Sequence, residues 1–225
     1  MKFCFFGHVH GNLKTLEDLF NLISKERLDY VVCMGDLLHN GTNYNEVRCL
    51  EFARELYKRD EAPYWVWLNG NHDKKILDNI KAEINIRIRK EFFGDENLLF
   101  MGSMPTLATF ENDRILVSHA NVNGTLEEPL ARINAPEEAY PSLEFLSKKG
   151  FQYGFLSHDH RPSVFRYLQE KDKIEKKKIT PNLILEKRGT YLINPGSINL
   201  PYKGFDRSFA LFDSDASLLE IKTIS

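Results

Sequence analysis

The sequence predicts a mixed α/β or α+β sandwich, on the strength of three observations. The first third alternates apolar runs with helix-spaced segments, the pattern of parallel strands joined by right-handed helical crossovers. The second half is a succession of short strand candidates separated by turns, which implies antiparallel pairing. All seven histidines of the 225-residue chain fall in five short segments, each reading as the loop at the end of a strand.

The elements follow in order. KFCFFG is a compact apolar run closed by glycine, as expected of a buried strand. Asn12 can cap the next helix, where Leu16, Leu19, Phe20 and Ile23 form one apolar face. DYVVCMGD repeats the strand-into-loop pattern. A second helix is expected from about Glu46 to Lys58, with Val47, Leu50 and Leu56 inward. PYWVWLNGNHD is a third strand and loop. In parallel sheets of this kind the ligand site lies beyond the carboxyl ends of the strands, where His8, His10, Asp36, Asn71 and His72 fall. A long amphipathic helix is expected from about Lys74 to Phe92, with Ile76, Ile80, Ile84 and Ile88 facing a core. Its basic residues Arg87, Arg89 and Lys90 read as a solvated face.

TLATFE and RILVSHA, joined by NDR, read as a hairpin. FQYGFLSHD, SVFRYLQE, NLILEKRG, TYLINPGS, SFALFD and LLEIKTI are further strands. NVNGTLEEPLARINAPEEAYPS is the longest poorly patterned stretch, and such stretches over a site are often lids or specificity loops. EKDKIEKKK reads as a solvated hairpin tip. Nothing repeats, and residues 1–225 are expected to form one domain.

Composition narrows the function classes. Hydrophobic residues at 42% and charged residues at 28% are those of an ordinary globular protein. A net charge of −2 gives no global pull toward nucleic acid or anionic membrane. A nuclease would need a basic track, so nucleic acid is not an expected partner. Cys4 and Cys33 sit in apolar runs as small buried thiols; with Cys49 they make an odd count that suits a reducing cytoplasm. MKFCFF is too short for a signal peptide, and no run approaches the roughly 18 apolar residues of a membrane span.

Imidazole, carboxylate and amide oxygen are the ligands of borderline divalent cations such as Zn²⁺, Mn²⁺ and Fe²⁺. His8 and His10 are two residues apart, so in a strict strand both would face one side. His158 and His160 have the same spacing. Asp36 is the sole carboxylate of its glycine-aspartate turn and can bridge two cations with its two oxygens. Asn71 offers an amide oxygen, and His119 ends an apolar strand with one more imidazole. His39 follows Asp36 on the same loop and is a candidate pocket residue.

The order HGN, GD, GNHD, SHA, HxH and NPGS resembles the calcineurin-like metallophosphoesterase superfamily, and within it the small YfcE-like phosphoesterase branch. The match runs from Phe3 to about Asp213. The resemblance implies a four-layer αββα sandwich with a dinuclear metal site at the sheet edges. It implies a first metal held by His8, His10, bridging Asp36 and His160, and a second held by Asp36, Asn71, His119 and His158. His72 would contact the phosphoryl group and assist the leaving oxygen, with Asp73 orienting it. INPGS over residues 193–197 would support the metal loops. Asn12, His39 and Arg161 are candidate substrate contacts. The family's first motif is normally DxH; here it is His8-Val9-His10. That exchange removes a carboxylate and shifts preference from hard Mg²⁺ toward Zn²⁺, Fe or Mn²⁺. GDLLHNG lacks the arginine of the protein serine/threonine phosphatase branch.

The function implied is metal-dependent hydrolysis of a phosphate mono- or diester on a small phosphorylated substrate, through hydroxide activated by two divalent ions (Mn, Zn or Fe). The alternative is a non-catalytic binding scaffold that keeps this fold with a degenerate first metal site.

Overall fold

The computed structural model describes residues 1–82, 90–126 and 132–224. Three βα units open the chain. Strands β1 (Lys2–Phe6), β2 (Tyr30–Cys33) and β3 (Tyr64–Trp67) are linked by helices α1 (Leu13–Ile23) and α2 (Tyr44–Tyr57). They pair in parallel with Phe6, Cys33 and Trp67 level with one another. Their loops therefore leave one sheet edge together. Helix α3 (Asn71–Lys81) follows β3, and α4 (Lys90–Phe93) and α5 (Asp95–Ser103) precede the second half.

That half builds β4 (Leu107–Phe110), β5 (Ile115–Ser118), helix α6 (Pro136–Lys149), β6 (Tyr153–Phe155), β7 (Ser163–Leu168), β8 (Lys173–Lys176), β9 (Leu183–Ile184), β10 (Thr190–Asn194), β11 (Ser208–Asp213) and β12 (Leu218–Thr223). Two six-stranded mixed sheets result, ordered β3-β2-β1-β11-β12-β9 and β4-β5-β6-β10-β7-β8. In the second, β5, β6 and β10 are parallel, so it too has an edge where strand ends converge.

Alternation along the strands sorts side chains into layers. Phe3, Phe5, Val32 and Met34 meet Val117, Phe155, Tyr191 and Ile193 between the sheets. Cys4, Phe6, Val31, Cys33 and Trp67 face outward onto Leu16, Leu19, Leu50 and Ala53 of α1 and α2. Leu116, Phe165 and Leu192 on the far face of the second sheet receive Leu143 and Leu146 of α6. This is the expected four-layer αββα sandwich. Cys4, Cys33 and Cys49 are buried free thiols, and burial pushes each of them up in pKa, Cys49 to about 12. Among the described residues no helix is long and apolar enough to cross a membrane.

Three expectations are corrected. Helix α3 starts at Asn71, because Asp73 in its first turn accepts the Gly70 N–H at 2.9 Å. Ile76 is buried as expected, but Ile84, Ile88, Arg87 and Arg89 lie outside the described residues. The unpatterned stretch after His119 ends in helix α6, with Pro136 at its first turn and Gly150 as a left-handed C-cap. Glu138 closes its N-terminus by accepting the N–H groups of Asn134 and Ala135 at 2.6 and 3.1 Å. The charged run at residues 170–178 is a hairpin, but KIEK within it is strand β8, paired antiparallel to β7.

The β2 and β3 loops touch at two glycines. Gly35 has φ +100, and a Cβ there would fall 2.7 Å from Gly70 Cα; a Cβ on Gly70 would fall 2.1 Å from Asp36 Oδ1. We expect Gly35→Ala to cost about 1–3 kcal/mol of stability from backbone strain alone, with more from the collision, read as a lowered denaturation midpoint at unchanged slope. An unchanged midpoint would show that the loop contact does not constrain the fold.

Candidate metal centre

The β1 and β2 loops are laced together backbone to backbone. The N–H groups of His8, His10 and Gly11 donate to the carbonyls of Gly35, Asp36 and Leu37 at 3.1, 3.0 and 2.8 Å. His8, His10, Asp36 and His160 all have positive φ, between 48° and 62°. Four non-glycine residues in the left-handed region within one site mark strain held by the surrounding structure. The expectation that strand alternation aims His8 and His10 is thereby corrected: β1 ends at Phe6, and left-handed turns aim both rings.

Backbone carbonyls fix four imidazoles. His8 Nε2 lies 2.8 Å from Ser157 O, His119 Nδ1 2.9 Å from Met34 O, His160 Nδ1 2.5 Å from Leu200 O and His72 Nδ1 2.6 Å from His39 O. A carbonyl only accepts, so each of these nitrogens carries the proton and donates. The opposite nitrogen is left with a lone pair. His8 Nδ1 then faces Asp36 Oδ2 at 3.3 Å, an acceptor against an acceptor. His119 Nε2 likewise faces Asn71 Oδ1 at 2.9 Å and Asp36 Oδ2 at 3.5 Å. His10 Nε2 stands 3.8 Å from the same oxygen. Among the described residues, His8 Nδ1 and His10 Nε2 are buried without a hydrogen-bond partner, a costly state for polar atoms unless a cation meets them.

Burial lowers the pKa of His8 and His10 to about 3 and of His158 to about 4, with neighbouring imidazoles adding to the effect, so the rings are neutral ligands. His8, His10, Asp36 and His160 place ligand atoms within 4.8 Å of one another. His10, His39 and His72 form a second such group; His119 Nε2, 3.5 Å from Asp36 Oδ2 and 2.9 Å from Asn71 Oδ1, is also 3.3 Å from His158 Nδ1. Donors about 2.1 Å from a cation are separated from each other by about 3.0–3.4 Å, close to these spacings. The donor set therefore fits a divalent cation.

One oxygen is central. Asp36 Oδ2 faces both groups of donors, whereas Oδ1 accepts the His72 N–H at 3.1 Å. The role of Asp73 is corrected. Its buried carboxylate accepts the N–H groups of Leu37, Leu38 and Gly70 at 3.2, 2.8 and 2.9 Å, pinning the β2 loop to α3. Burial and the charge of Asp36 raise its pKa to about 7 against the pull of these donors. The partner that orients His72 is the His39 carbonyl.

The three candidate substrate contacts differ. Asn12 caps α1 by accepting the Thr15 N–H at 3.2 Å and donates to Asn199 at 2.8 Å, so both ends of its amide serve the fold. Arg161 makes two 2.9 Å bonds to Asp159 and stacks 4.2 Å over the Tyr202 ring. His39 is exposed and lies parallel to His72, with centroids 5.2 Å apart. Its Nδ1 is 3.4 Å from His10 Nδ1. With His10 Nε2 turned to Asp36, His10 Nδ1 is the donor, and His39 steadies a ligand as outer-shell partners do. The late loop supports the site as expected: Asn194 donates to Ser157 O at 3.3 Å, and the Ile198 N–H donates to Gly7 O at 3.2 Å.

Glu46 went unread as a site residue. It is buried, and its two carboxylate oxygens accept five backbone N–H groups, from His39 to Asn43, at 2.7–3.1 Å. It thereby shapes the loop that carries His39. The signal was the spacing Asn43-x-x-Glu46, a capping box.

The family model for calcineurin-like phosphoesterases matches residues 1–187. The uncharacterised protein MJ0912 of Methanocaldococcus jannaschii is 29% identical over 230 residues, covering 95% of this chain and 83% of its own length. A metallophosphoesterase from Sphaerobacter thermophilus superposes with a TM-score of 0.72 at 23% identity, over 100% of this chain and 89% of its own. YfcE, a phosphoesterase from E. coli, superposes with a TM-score of 0.50 at 18% identity, over 100% of both chains.

Burial raises the pKa of Glu46, but its backbone donors outweigh burial and leave it below the ordinary value. A depressed carboxylate adds stability above its unfolded pKa, about 4.3, and loses it as pH falls through the folded value. We expect Glu46→Gln to lose about 1–3 kcal/mol at neutral pH and to show a smaller acid-dependent decline than wild type in denaturant melts. Parallel pH profiles for the two proteins would contradict this.

Proposed function

The chain belongs to the calcineurin-like phosphoesterase family, and on that premise we propose that it hydrolyses a phosphate mono- or diester with two divalent cations. The observation that supports this most is the convergence of unprotonated imidazole nitrogens on Asp36 Oδ2, with two of them buried and otherwise unpartnered. Cations held there supply an activated water and offset charge on the phosphoryl oxygens.

The protein's own groups do the rest. His8, His10, Asp36 and His160 form one donor set, and Asp36, Asn71, His119 and His158 the other. The first contains three imidazoles and one carboxylate. This favours Zn²⁺, Fe or Mn²⁺ over Mg²⁺. His72 is fixed by its Nδ1–H bond to His39 O, which leaves Nε2 as its working atom. Water adds to phosphorus and the bond to the leaving oxygen breaks; in the imidazolium form of His72 the second proton, at Nε2, passes to that oxygen. Asp73 acts on the β2 loop, not on His72.

The test is turnover of an aryl phosphate and an aryl phosphodiester by protein loaded separately with Mn²⁺, Zn²⁺ and Fe²⁺. His72→Ala should lower kcat by about 10²–10⁴-fold, the range for a general acid, with metal content unchanged. Metal lost in step with activity would make His72 a ligand. No turnover of any ester with any metal would favour the binding scaffold.

A further inference from the structure

Beside the metal centre lies a cavity of about 260 Å³, lined by His39, Asn40, Thr42, His72, Lys75, Ile76 and Asn79. It lies between the β2–α2 loop and the first turns of α3. Two of its walls, His39 and His72, are also walls of the metal site: their rings lie 5.3 and 5.0 Å from the His10 ring. A group bound to the working side of His72 therefore has this cavity as its continuation.

The lining has a consistent chemistry. Lys75 is a cation, His39 and His72 present imidazole rings, Asn79 carries an amide, the Thr42 hydroxyl donates to Asn40 Oδ1, and no carboxylate is among these residues. Lys75 is exposed, and among the described residues no carboxylate pairs with it; the neighbouring Lys74 is the one bound to Asp78 at 2.6 Å. Glu46, four residues after Thr42, has its carboxylate saturated by the backbone N–H groups of residues 39–43. Such a surface suits a polyvalent oxyanion, which accepts several charge-assisted hydrogen bonds at once.

We propose that this cavity is the leaving-group subsite and that it receives a second phosphate: the substrate is one whose leaving group is itself phosphorylated. The inference rests on the hydrolase reading for the reaction and on the cavity alone for the binding. The reaction balances as simple hydrolysis. Water adds to the phosphorus at the metal centre, the bond from that phosphorus to the leaving oxygen breaks, and the phosphorylated leaving group departs with the proton from His72. Two chemistries share this feature: an ester of a short bisphosphorylated alcohol, and a phosphoanhydride.

The test compares propyl phosphate with propanediol bisphosphate, a matched pair differing by the second phosphate, and adds adenosine diphosphate as the anhydride. The bisphosphate or the anhydride should have the higher kcat/KM, and whichever it is identifies the source. Lys75→Glu should raise its KM about tenfold and leave propyl phosphate within about twofold. Equal losses on both members of the pair, or none on either, would overturn the subsite. A second arm needs no turnover. In zinc-loaded protein, methylenebisphosphonate should shift the backbone amide signals of Thr42, Lys75 and Asn79, and Lys75→Glu should abolish those shifts. Shifts confined to the metal loops would overturn the proposal. If no ester turns over but these signals move, the hydrolase reading fails and the anion site stands.

Discussion

The site depends on a constraint of proton placement. A backbone carbonyl takes the N–H of His8, His119, His160 and His72 in turn, and so dictates which nitrogen of each ring is left with a lone pair. Those carbonyls belong to Ser157, Met34, Leu200 and His39, residues in three different loops. Each ligand loop is thus held by a loop from elsewhere in the chain. The lone pairs that remain point at one another and at Asp36 Oδ2. In a protein interior this arrangement is repulsive, and a bound cation turns it into attraction.

The fold makes such an arrangement affordable. Left-handed backbone at His8, His10, Asp36 and His160 costs of order 1–3 kcal/mol at each position. Three apolar layers oppose that cost, and the parallel strands deliver the loops in register. Asp73 and Glu46 act as carboxyl pins: one joins the β2 loop to α3, the other shapes the loop bearing His39. Neither touches a ligand atom, yet both determine where ligands stand.

Much of this was legible in the sequence. Strand-end histidines, the Asp36 turn and the crossover helices announce themselves through residue type and spacing, and the layers follow from alternation along β1, β2 and β3. The carbonyl partners were not legible, because a backbone oxygen carries no residue identity. Asp73 was misread because adjacency to His72 suggested a side-chain pair, whereas the third residue of a helix turns back toward the N-terminus and serves backbone donors. Helix α6 was hidden by the polar composition of residues before Leu143, and β8 by its lysines, which an edge strand tolerates. Asn12 shows the opposite case, where the cap predicted from sequence already occupies the side chain.

The most direct test of the central claim is anomalous diffraction from crystals of the zinc-loaded protein. Two peaks should flank Asp36 Oδ2, one among His8 Nδ1, His10 Nε2 and His160, the other among Asn71 Oδ1, His119 Nε2 and His158. The carbonyl bonds to His8, His119 and His160 should persist. A single peak, or a His8 ring rotated so that Nδ1 leaves the cluster, would contradict the account.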